Sequence, residues 1–515
     1  MHPLVQALLD PAAYDHPVEA VQLIETHISW IFLTGSFAYK VKKPVNLGFV
    51  DFSTPQLRRR CCEEELRLNR RLAADLYLAV RDIHGPLERA QLGGTGAVIE
   101  AAVQMRQFRQ SDLLPEALAR GAVSPDQIDQ LADDLAHFHA AAAQAAATDP
   151  WGSPEAVLEP ALANLEALAG LGRTPVDGGR MAQWTRSELN RLRPLLQRRR
   201  AADQIRECHG DLHLGNMTLQ EGRIRVFDCL EFSPRLRWID PISDLAFLVM
   251  DLQERGRGVL ALRLLDRWLE TSGDYGALPL LPWYLAYRAL VRAKVTALRL
   301  QQSDLTTAAR GKLNQELVSY LDRARQGMTT APAALLITHG PSGSGKSHAA
   351  ERLRQLGWIR LRSDVERRRL FGRWGVGLAA GAAAPGEGCN PYDPSISELL
   401  YGTVLAEAAA AALAAGLSVL VDATFLKRSQ RQTFKDLARR HGARFGILAC
   451  SAPLPLALER LEARQASGVD PSEADGRVLR AQLKWIEPLN PDEMAWVVGP
   501  EDASLAERGR GLLPA

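Results

Sequence analysis

The sequence predicts a multi-domain α/β protein whose two halves differ in the way strands and helices follow one another. Residues 1–325 mix strands and helices without a regular alternation, whereas buried strands alternate with helices after residue 333. Such alternation is typical of a parallel sheet. At about 150 residues per domain, a chain of 515 residues holds two to four domains. We therefore predict domains at 1–325 and 334–515, joined by a linker at 326–333.

Composition and charge restrict the class of protein. Hydrophobic residues make up 46% and charged residues 24%, as in ordinary globular proteins. The 62 basic and 60 acidic residues leave a net charge of +2, which argues against a surface dedicated to nucleic acids or membranes. The six cysteines lack zinc spacing, so we expect reduced thiols. Without a secretory signal or a run of about 18 apolar residues, we expect a cytoplasmic protein.

The first half begins with strands and becomes mainly helical. Alternation and turn residues predict strands within 28–52, over 97–105 and, as short strands and loops, over 205–228. Apolar residues at helical spacing predict helices over 55–75, 125–200 and 240–325. The alanine-rich stretch 139–147 is predicted to be surface helix, because alanine is the best helix former.

The second half begins after a short polar, proline-containing stretch at 325–333. Buried strands are predicted at 333–340, 358–361, 417–424 and 445–450. Helices are predicted at 347–357 and 399–416. The low-complexity stretch 377–388 is predicted to be a mobile loop.

A glycine-rich motif joins the first strand and helix of the second half. Residues 340–347 fit G-x-x-x-x-G-K-[ST], in which backbone N–H groups surround phosphate oxygens. Lys346 is expected to reach the β and γ phosphates, and Ser347 to bind Mg²⁺. The cradle itself is assigned to Gly340, Ser342, Gly343, Ser344 and Gly345.

Four further residues of this half are candidates for the same site. Asp422 ends a buried strand and is predicted to hold the water shell of Mg²⁺ or to orient a substrate; the alternative is a strand-end cap. Asp364 is predicted to be a general base, with a helix cap as the alternative. Arg460 and Arg464 lie one helical turn apart and are predicted to close over phosphates, unless they form a solvated helix face.

The first half carries a second set of residues suited to phosphoryl transfer. The motif His209-Gly-Asp211-Leu-His-Leu-Gly-Asn216 provides Asp211, expected to accept the proton of a substrate hydroxyl. Asn216 is expected to bind Mg²⁺. Asp228 ends a strand twelve residues later and is the expected second metal ligand.

A strand near the N-terminus carries the lysines that could pair with phosphate. Lys40 and Lys42 share one face of this strand, so the sequence does not separate them; we prefer Lys40. Glu65 is the preferred partner on the following helix, although Glu63–Glu65 could equally be a solvated acidic run. Met105 lies in the segment predicted to be the hinge whose backbone holds adenine.

These motifs carry a resemblance to known families. Residues 25–300 resemble the aminoglycoside phosphotransferase family, a branch of the protein-kinase-like α+β fold, which implies that Asp244 braces the catalytic loop. Only Leu33-Thr-Gly-Ser36 stands where kinases have a longer glycine-rich loop. The second half resembles small P-loop NTPase kinases related to polynucleotide kinase, gluconate kinase and the zeta toxins. The order of the halves resembles a bacterial family of predicted bifunctional proteins.

The resemblance implies two phosphotransferase sites that use ATP or GTP with Mg²⁺. The acceptor is expected to be a small hydroxylated molecule, such as a sugar, aminosugar or nucleoside. Two alternatives stay open: one domain regulates the other through nucleotide binding, or the chain is a polynucleotide-kinase-like end-processing enzyme. Arginine runs at 58–60, 198–200 and 367–369 could track nucleic-acid phosphates, but they lack interleaved aromatic residues, so nucleic acid is the less favoured partner. The sequence indicates no oligomeric state.

Overall fold

The structure, a computed structural model, describes residues 1–46, 48, 50–173, 175–303, 305–329, 332–376, 390–391, 393–467, 472 and 474–499. The predicted loop 377–388 and Cys389 lie outside these residues. The chain forms two compact units. The first unit holds residues 1–127, 142–146 and 205–240; the second holds residues 128–141, 147–204 and the described residues from 241 onward.

The strands and helices are numbered in chain order. The strands are β1 (Gln22–Glu25), β2 (Ser29–Leu33), β3 (Phe37–Lys42), β4 (Tyr77–His84), β5 (Gln91–Leu92), β6 (Val98–Arg106), β7 (Arg206–Glu207), β8 (Met217–Gln220), β9 (Arg223–Val226), β10 (Trp238–Ile239), β11 (Ala334–His339), β12 (Ile359–Arg362), β13 (Val419–Asp422), β14 (Arg444–Ala449) and β15 (Val497–Val498). The helices are α1 (Pro3–Leu8), α2 (Pro55–Ala73), α3 (Leu114–Ala119), α4 (Pro125–Ala141), α5 (Pro154–Gly170), α6 (Gly178–Ala201), α7 (Pro234–Arg237), α8 (Pro241–Glu254), α9 (Gly258–Ser272), α10 (Leu281–Arg299), α11 (Thr307–Gly327), α12 (Lys346–Arg354), α13 (Ser363–Leu370), α14 (Pro394–Leu399), α15 (Leu405–Ala414), α16 (Arg428–Arg440), α17 (Leu454–Ser467), α18 (Gly476–Trp485) and α19 (Pro491–Met494).

The first unit is built on an antiparallel sheet with the order β1-β2-β3-β6-β4-β5. Helix α2 starts where Thr54 accepts a hydrogen bond from the N–H of Leu57, with proline at the first helical position. Its buried face carries Cys62, Glu65 and Leu68, which recur at helical spacing. The helix therefore places one carboxylate, Glu65, among apolar residues.

The second unit contains the five-stranded sheet of the C-terminal half, with the order β12-β13-β11-β14-β15. All four of its strand pairs are parallel, as the alternation of strands and helices predicted. Strand β11 is central and wholly buried, so the loop that follows it opens at the middle of the sheet edge. The two-residue strand β15 is too short to show any alternation in the sequence.

One helical stretch in the described part of the chain, Pro394–Ala414, is long and apolar enough to span a membrane by length and composition. It includes a π-helical turn at Leu400–Val404. Leu400, Leu405, Ala409 and Ala412 are fully buried. These four apolar side chains pack inside the second unit.

Several strands and the extent of one helix differ from the sequence-based expectations. Strands β1 and β4 escape prediction because their burial does not alternate. The alanine-rich stretch is helix only to Ala141, and the prediction of helix beyond that point is wrong. The chain instead bonds to residues 205–207: the N–H of Ala145 donates to the carbonyl of Ile205, and the carbonyl of Ala143 accepts from the N–H of Glu207. These long-range bonds outweigh alanine's helix propensity.

The arginine runs are not simple solvated faces. Arg58 is buried and paired with Glu100 at 2.6 Å, and Arg199 is buried and paired with Asp274 at 2.7 Å. Both side chains are committed to internal ion pairs. None of the five cysteines in the described part of the chain forms a disulfide.

Candidate functional site

Strand β3, which carries Lys40 and Lys42, and helix α2 form a buried group of charges in the first unit. Lys40 Nζ lies 2.8 Å from Glu65 Oε1 and 2.5 Å from Asp228 Oδ1. Lys42 Nζ lies 2.6 Å from Glu65 Oε2 and also contacts Glu231. Both lysines therefore share Glu65, and the predicted acidic partner is not part of a solvated run. Lys40 alone reaches Asp228, whereas Lys42 is fully enclosed, which favours Lys40 as the phosphate-pairing residue.

Mutual attraction keeps Lys40, Lys42 and Glu65 ionised despite their burial. Burial opposes the charge of Lys40, but Asp228 and Glu65 outweigh it and raise the pKa of Lys40 well above its usual value. Burial likewise opposes the charge of Glu65, but Lys40 and Lys42 lower the pKa of Glu65 to about 2. The residues thus hold each other in their charged forms.

Replacing Glu65 by glutamine is expected to destabilise the fold by about 3–5 kcal/mol, because two buried ammonium groups lose the carboxylate that they share. The free energy of unfolding in urea, followed by circular dichroism, measures this loss. Glu63→Gln is the matched control, since Glu63 lies on the same helix with an exposed side chain and pairs only loosely with Arg59. Equal stability of the two variants would contradict the assignment of Glu65.

Asp228 follows β9 in a strained backbone conformation. Its φ is 63°, in the left-handed region that non-glycine residues seldom adopt. The backbone N–H of Asp228 donates to Tyr77 Oη at 3.1 Å, and this buried tyrosine holds the turn. The turn aims the Asp228 carboxylate at Lys40.

The motif at residues 209–216 folds against Asp228 through the β8–β9 hairpin. Met217 pairs with Val226, and the N–H of Phe227 donates to the carbonyl of Asn216, so Asn216 and Asp228 approach each other. Asn216 Nδ2 donates to Asp211, to its carbonyl at 3.0 Å and to Oδ2 at 3.1 Å. The amide nitrogen is therefore engaged, and the amide oxygen is the atom suited to a metal.

Two histidines hold Asp211 in place. His209 Nε2 lies 3.0 Å from the carbonyl of Phe227, and His209 Nδ1 accepts from the N–H of Asp211 at 3.3 Å. His213 Nδ1 accepts from the N–H of Gly215, which directs Nε2 to Asp211 Oδ2 at 3.4 Å. Sequence reasoning missed His213, although it occupies one of the variable positions of the motif.

Met105 lies inside β6, in register with Ala38 and Tyr77 on the two neighbouring strands. The strand ends one residue later, at Arg106. Gln107 then accepts the N–H of Gly35 through its side chain at 2.9 Å, which joins the short glycine turn at 33–36 to the end of β6. The hinge role of Met105 stays a prediction.

Asp244, the expected brace of the catalytic loop, belongs to the second unit. It is fully buried near the start of α8, with Oδ2 3.3 Å from His139 Nε2. Trp268 Nε1 donates to His139 Nδ1 at 3.2 Å. The bracing role stays a prediction.

In the second unit, residues 340–347 form a curled loop between β11 and α12. Gly340, Gly343 and Gly345 have φ values of 141°, 79° and 95°, which side chains disfavour. A Cβ atom at Gly343 would lie 2.6 Å from the carbonyl oxygen of Ala457. Lys346 begins the helix, with Nζ donating to the carbonyl of Pro341 at 2.6 Å.

The loop has the properties of a phosphate site. Ser344 Oγ is buried and makes no hydrogen bond to the residues that the structure describes. Burial lowers the pKa of Lys346 against the opposing pull of Asp422 and Asp364, so the ammonium group lacks a fully compensating partner. A phosphate chain would supply an acceptor for Ser344 and a negative charge for Lys346. The residues present therefore fit a bound nucleotide.

The predicted carboxylates of this half flank the loop. Asp422 ends β13, is buried, and accepts from Arg360 Nε at 3.1 Å and Nη2 at 2.6 Å, both at Oδ2. Burial opposes its charge, but Arg360 prevails and lowers the pKa of Asp422. Asp364 lies in the first turn of α13, and its charge raises the pKa of Lys346 in opposition to burial. The general-base role of Asp364 stays a prediction.

Helix α17 approaches the loop through one of its two predicted arginines. Arg460 Nη1 donates to the carbonyl of Gly343 at 3.3 Å. Arg464 Nη2 donates instead to the carbonyl of Ala474 at 2.9 Å. The positive charge of Arg464 contributes, after burial, to lowering the pKa of Lys346. Gln482 on α18, which the sequence did not single out, accepts the N–H of Ser342 at 2.8 Å.

Two family models match separate parts of the chain. A model of the phosphotransferase enzyme family matches residues 49–281, and a model described as an AAA domain matches residues 335–489. Uncharacterized proteins of Mycobacterium tuberculosis and Mycobacterium bovis are each 31% identical over 479 residues, covering 91% of this chain and 92% of the relative.

Solved structures similar to the chain include two kinases. A choline/ethanolamine kinase family protein of Mesorhizobium loti is 14% identical and covers 63% of this chain and 97% of its own, with a TM-score of 0.37. The amicoumacin kinase hAmiN is 15% identical and covers 63% and 96%, with a TM-score of 0.37. The family matches and the parallel sheet confirm the predicted fold class. The chain belongs to the bacterial family in which an aminoglycoside-phosphotransferase-like domain precedes a P-loop kinase-like domain.

Proposed function

We propose that the protein is a phosphotransferase with two ATP sites, each of which transfers the γ-phosphate to a hydroxyl group of a small molecule. The observation that carries this proposal is the charge cluster in which Lys40 joins Glu65 to Asp228. Asp211 and Asn216 are folded against the same turn. A lysine, a paired carboxylate, a metal-binding carboxylate and a base are the parts that phosphoryl transfer requires.

In the phosphotransferase domain, Lys40 would hold the phosphates, and Asn216 and Asp228 would bind Mg²⁺. When bound, the metal neutralises charge on the phosphate oxygens. Asp211 accepts the proton of the acceptor hydroxyl, whose oxygen forms a new bond to the γ-phosphorus. The bond between that phosphorus and the β–γ bridging oxygen breaks, and ADP leaves.

In the P-loop domain, the backbone of residues 340–345 and Lys346 would hold the triphosphate. Ser347 and Asp422 would bind Mg²⁺, with Asp422 acting through water. Asp364 would accept the proton of a second hydroxyl, and Arg460 and Arg464 would neutralise the transferring phosphate. The donor would be ATP or GTP. We propose the boundaries 1–325, 326–333 and 334–515 and a cytoplasmic location.

A screen for the acceptors tests this function. The full-length protein is incubated with γ-labelled ATP, Mg²⁺ and a pool of small metabolites. Asp211→Asn and Lys346→Ala variants are incubated in parallel. We expect labelled small molecules. The products of the phosphotransferase domain should be lost in Asp211→Asn, and those of the P-loop domain in Lys346→Ala. Release of phosphate to water alone, or label unaffected by either substitution, would contradict the proposal.

A further inference from the structure

The candidate for a new role is Arg360, on the strand that follows the P-loop helix. Its guanidinium contacts Asp422 Oδ2 through Nε at 3.1 Å and Nη2 at 2.6 Å. It also donates to the carbonyl of Ser347 at 3.4 Å and to Glu351 Oε2 at 3.2 Å. Arg360 thus touches both residues that are candidates for binding Mg²⁺ in this domain.

Arg360 is fixed in turn by a residue of the phosphotransferase domain. Asp266 Oδ1 accepts the backbone N–H of Arg360 at 2.6 Å, and Asp266 Oδ2 accepts Arg354 Nε at 2.6 Å. Asp266 is 1% exposed and lies on α9, within the segment that matches the phosphotransferase family. One buried carboxylate therefore holds the strand carrying Arg360 and the last residue of the P-loop helix.

Helix α9 makes contacts with residues of both proposed domains. Asp266 and Trp268 are two residues apart, so they leave the helix about 200° from each other. Trp268 contacts His139, which contacts Asp244 in the phosphotransferase domain. Further along α9, the carbonyls of Glu270 and Thr271 accept hydrogen bonds from Arg369 of the P-loop domain. The second unit thus contains a continuous set of contacts from Asp244 to Asp422.

We propose that Arg360 is a positioning residue of the P-loop site and that Asp266, supplied by the phosphotransferase domain, fixes its place. Arg360 orients Asp422 by binding Oδ2, which leaves Oδ1 for the water shell of Mg²⁺. Removing Asp266 removes the acceptor for the Arg360 N–H and leaves Arg354 without its buried partner. The proposal rests on the nucleotide binding proposed for the P-loop domain.

The test measures how nucleotide binding depends on Mg²⁺ at the P-loop site alone. Full-length protein carrying Lys40→Ala, which disables the other site, is titrated with Mg²⁺ in the presence of a fluorescent N-methylanthraniloyl-ATP. Asp266→Ala and Arg360→Met are each expected to raise the Mg²⁺ concentration for half-maximal binding by about 10-fold or more, as the loss of an outer-shell partner does at metal sites. Arg360→Lys is expected to have a smaller effect, because it keeps the charge but not the planar fork.

Glu493→Gln is the matched control for a lost buried pair. Glu493 binds Arg431 at 2.7 Å and 2.9 Å within the P-loop domain, apart from Arg360 and Asp422. We expect it to leave the Mg²⁺ dependence unchanged. Thermal melting establishes that each variant is folded. If Asp266→Ala fails to fold, the Arg360→Met and Arg360→Lys variants decide between the outcomes.

Three outcomes would overturn the proposal. Equal Mg²⁺ dependence in the Arg360 variants and in Glu493→Gln would show that Arg360 is structural only. A lower half-saturating concentration in the Arg360 variants would show that Arg360 competes with the metal. No Mg²⁺-dependent binding in Lys40→Ala itself, before any further substitution, would refute nucleotide binding at the P-loop and the present proposal with it.

Discussion

Replacing Asp211 by asparagine is expected to lower the rate of phosphoryl transfer in the phosphotransferase domain by a factor on the order of 10²–10⁴, the usual contribution of a general base. The asparagine oxygen can still accept from Asn216 Nδ2, which now donates to Asp211 Oδ2 at 3.1 Å. It can also accept from His213, whose Nε2 lies 3.4 Å from the same oxygen. The substitution therefore preserves the shape of the loop and removes its ability to take a proton.

The measurement is ADP formation with the acceptor found by the metabolite screen, together with the Kd for an ATP analogue. We expect turnover to fall while nucleotide affinity stays unchanged, because Lys40 and Asp228 are untouched. Asp75→Asn serves as the control, since Asp75 makes a partly exposed pair with Arg225 in the same unit. An Asp211→Asn variant with the turnover of this control would refute the assignment of Asp211 as the base.

Replacing Lys346 by alanine is expected to lower turnover at the P-loop site by a factor on the order of 10²–10³, the effect of deleting a preorganised donor to developing charge. Lys346 is buried at the start of α12 and donates to a carbonyl of its own loop. Its pKa is lowered by burial in spite of Asp422 and Asp364. A phosphate would relieve this penalty, so nucleotide affinity should fall with turnover.

ADP formation and binding of a fluorescent ATP analogue, both measured in a Lys40→Ala background, follow the P-loop site by itself. Lys427→Ala is the control, because Lys427 is an exposed lysine of the same domain that lies over the ring of Trp485. Unchanged nucleotide affinity in Lys346→Ala would show that the loop does not hold a triphosphate through this residue.

Both candidate sites contain a motif that is continuous in the sequence. The P-loop is one continuous segment, and its glycines and lysine specify the curl locally. The segment from His209 to Asn216 is also continuous, and its hairpin register brings Asp228 to it over a short distance. These motifs, the alternation of strands and helices, and the family all follow from residues close in sequence.

Ion pairs between residues that are far apart in the sequence could not be predicted from motifs or periodicity. Strand alternation places Lys40 and Lys42 on one face, but only the packing of α2 and the Asp228 turn shows that both share Glu65 and that Lys40 alone meets Asp228. Glu231, which contacts Lys42, carries no motif. A buried acidic residue looks like any surface acid in a sequence, since burial depends on the elements packed over it.

The sequence by itself determined the two domain types, the parallel sheet and the residues of the two candidate phosphate-binding motifs, because local backbone geometry and hydrophobic periodicity encode them. Only the tertiary structure revealed the contact from Asp266 through Arg360 to Asp422. Asp266 and Arg360 are 94 positions apart, and Arg360 and Asp422 are 62 positions apart. Contacts over such separations leave no periodic pattern in the sequence. Such contacts arise when separate elements are packed together, and that packing depends on the whole fold.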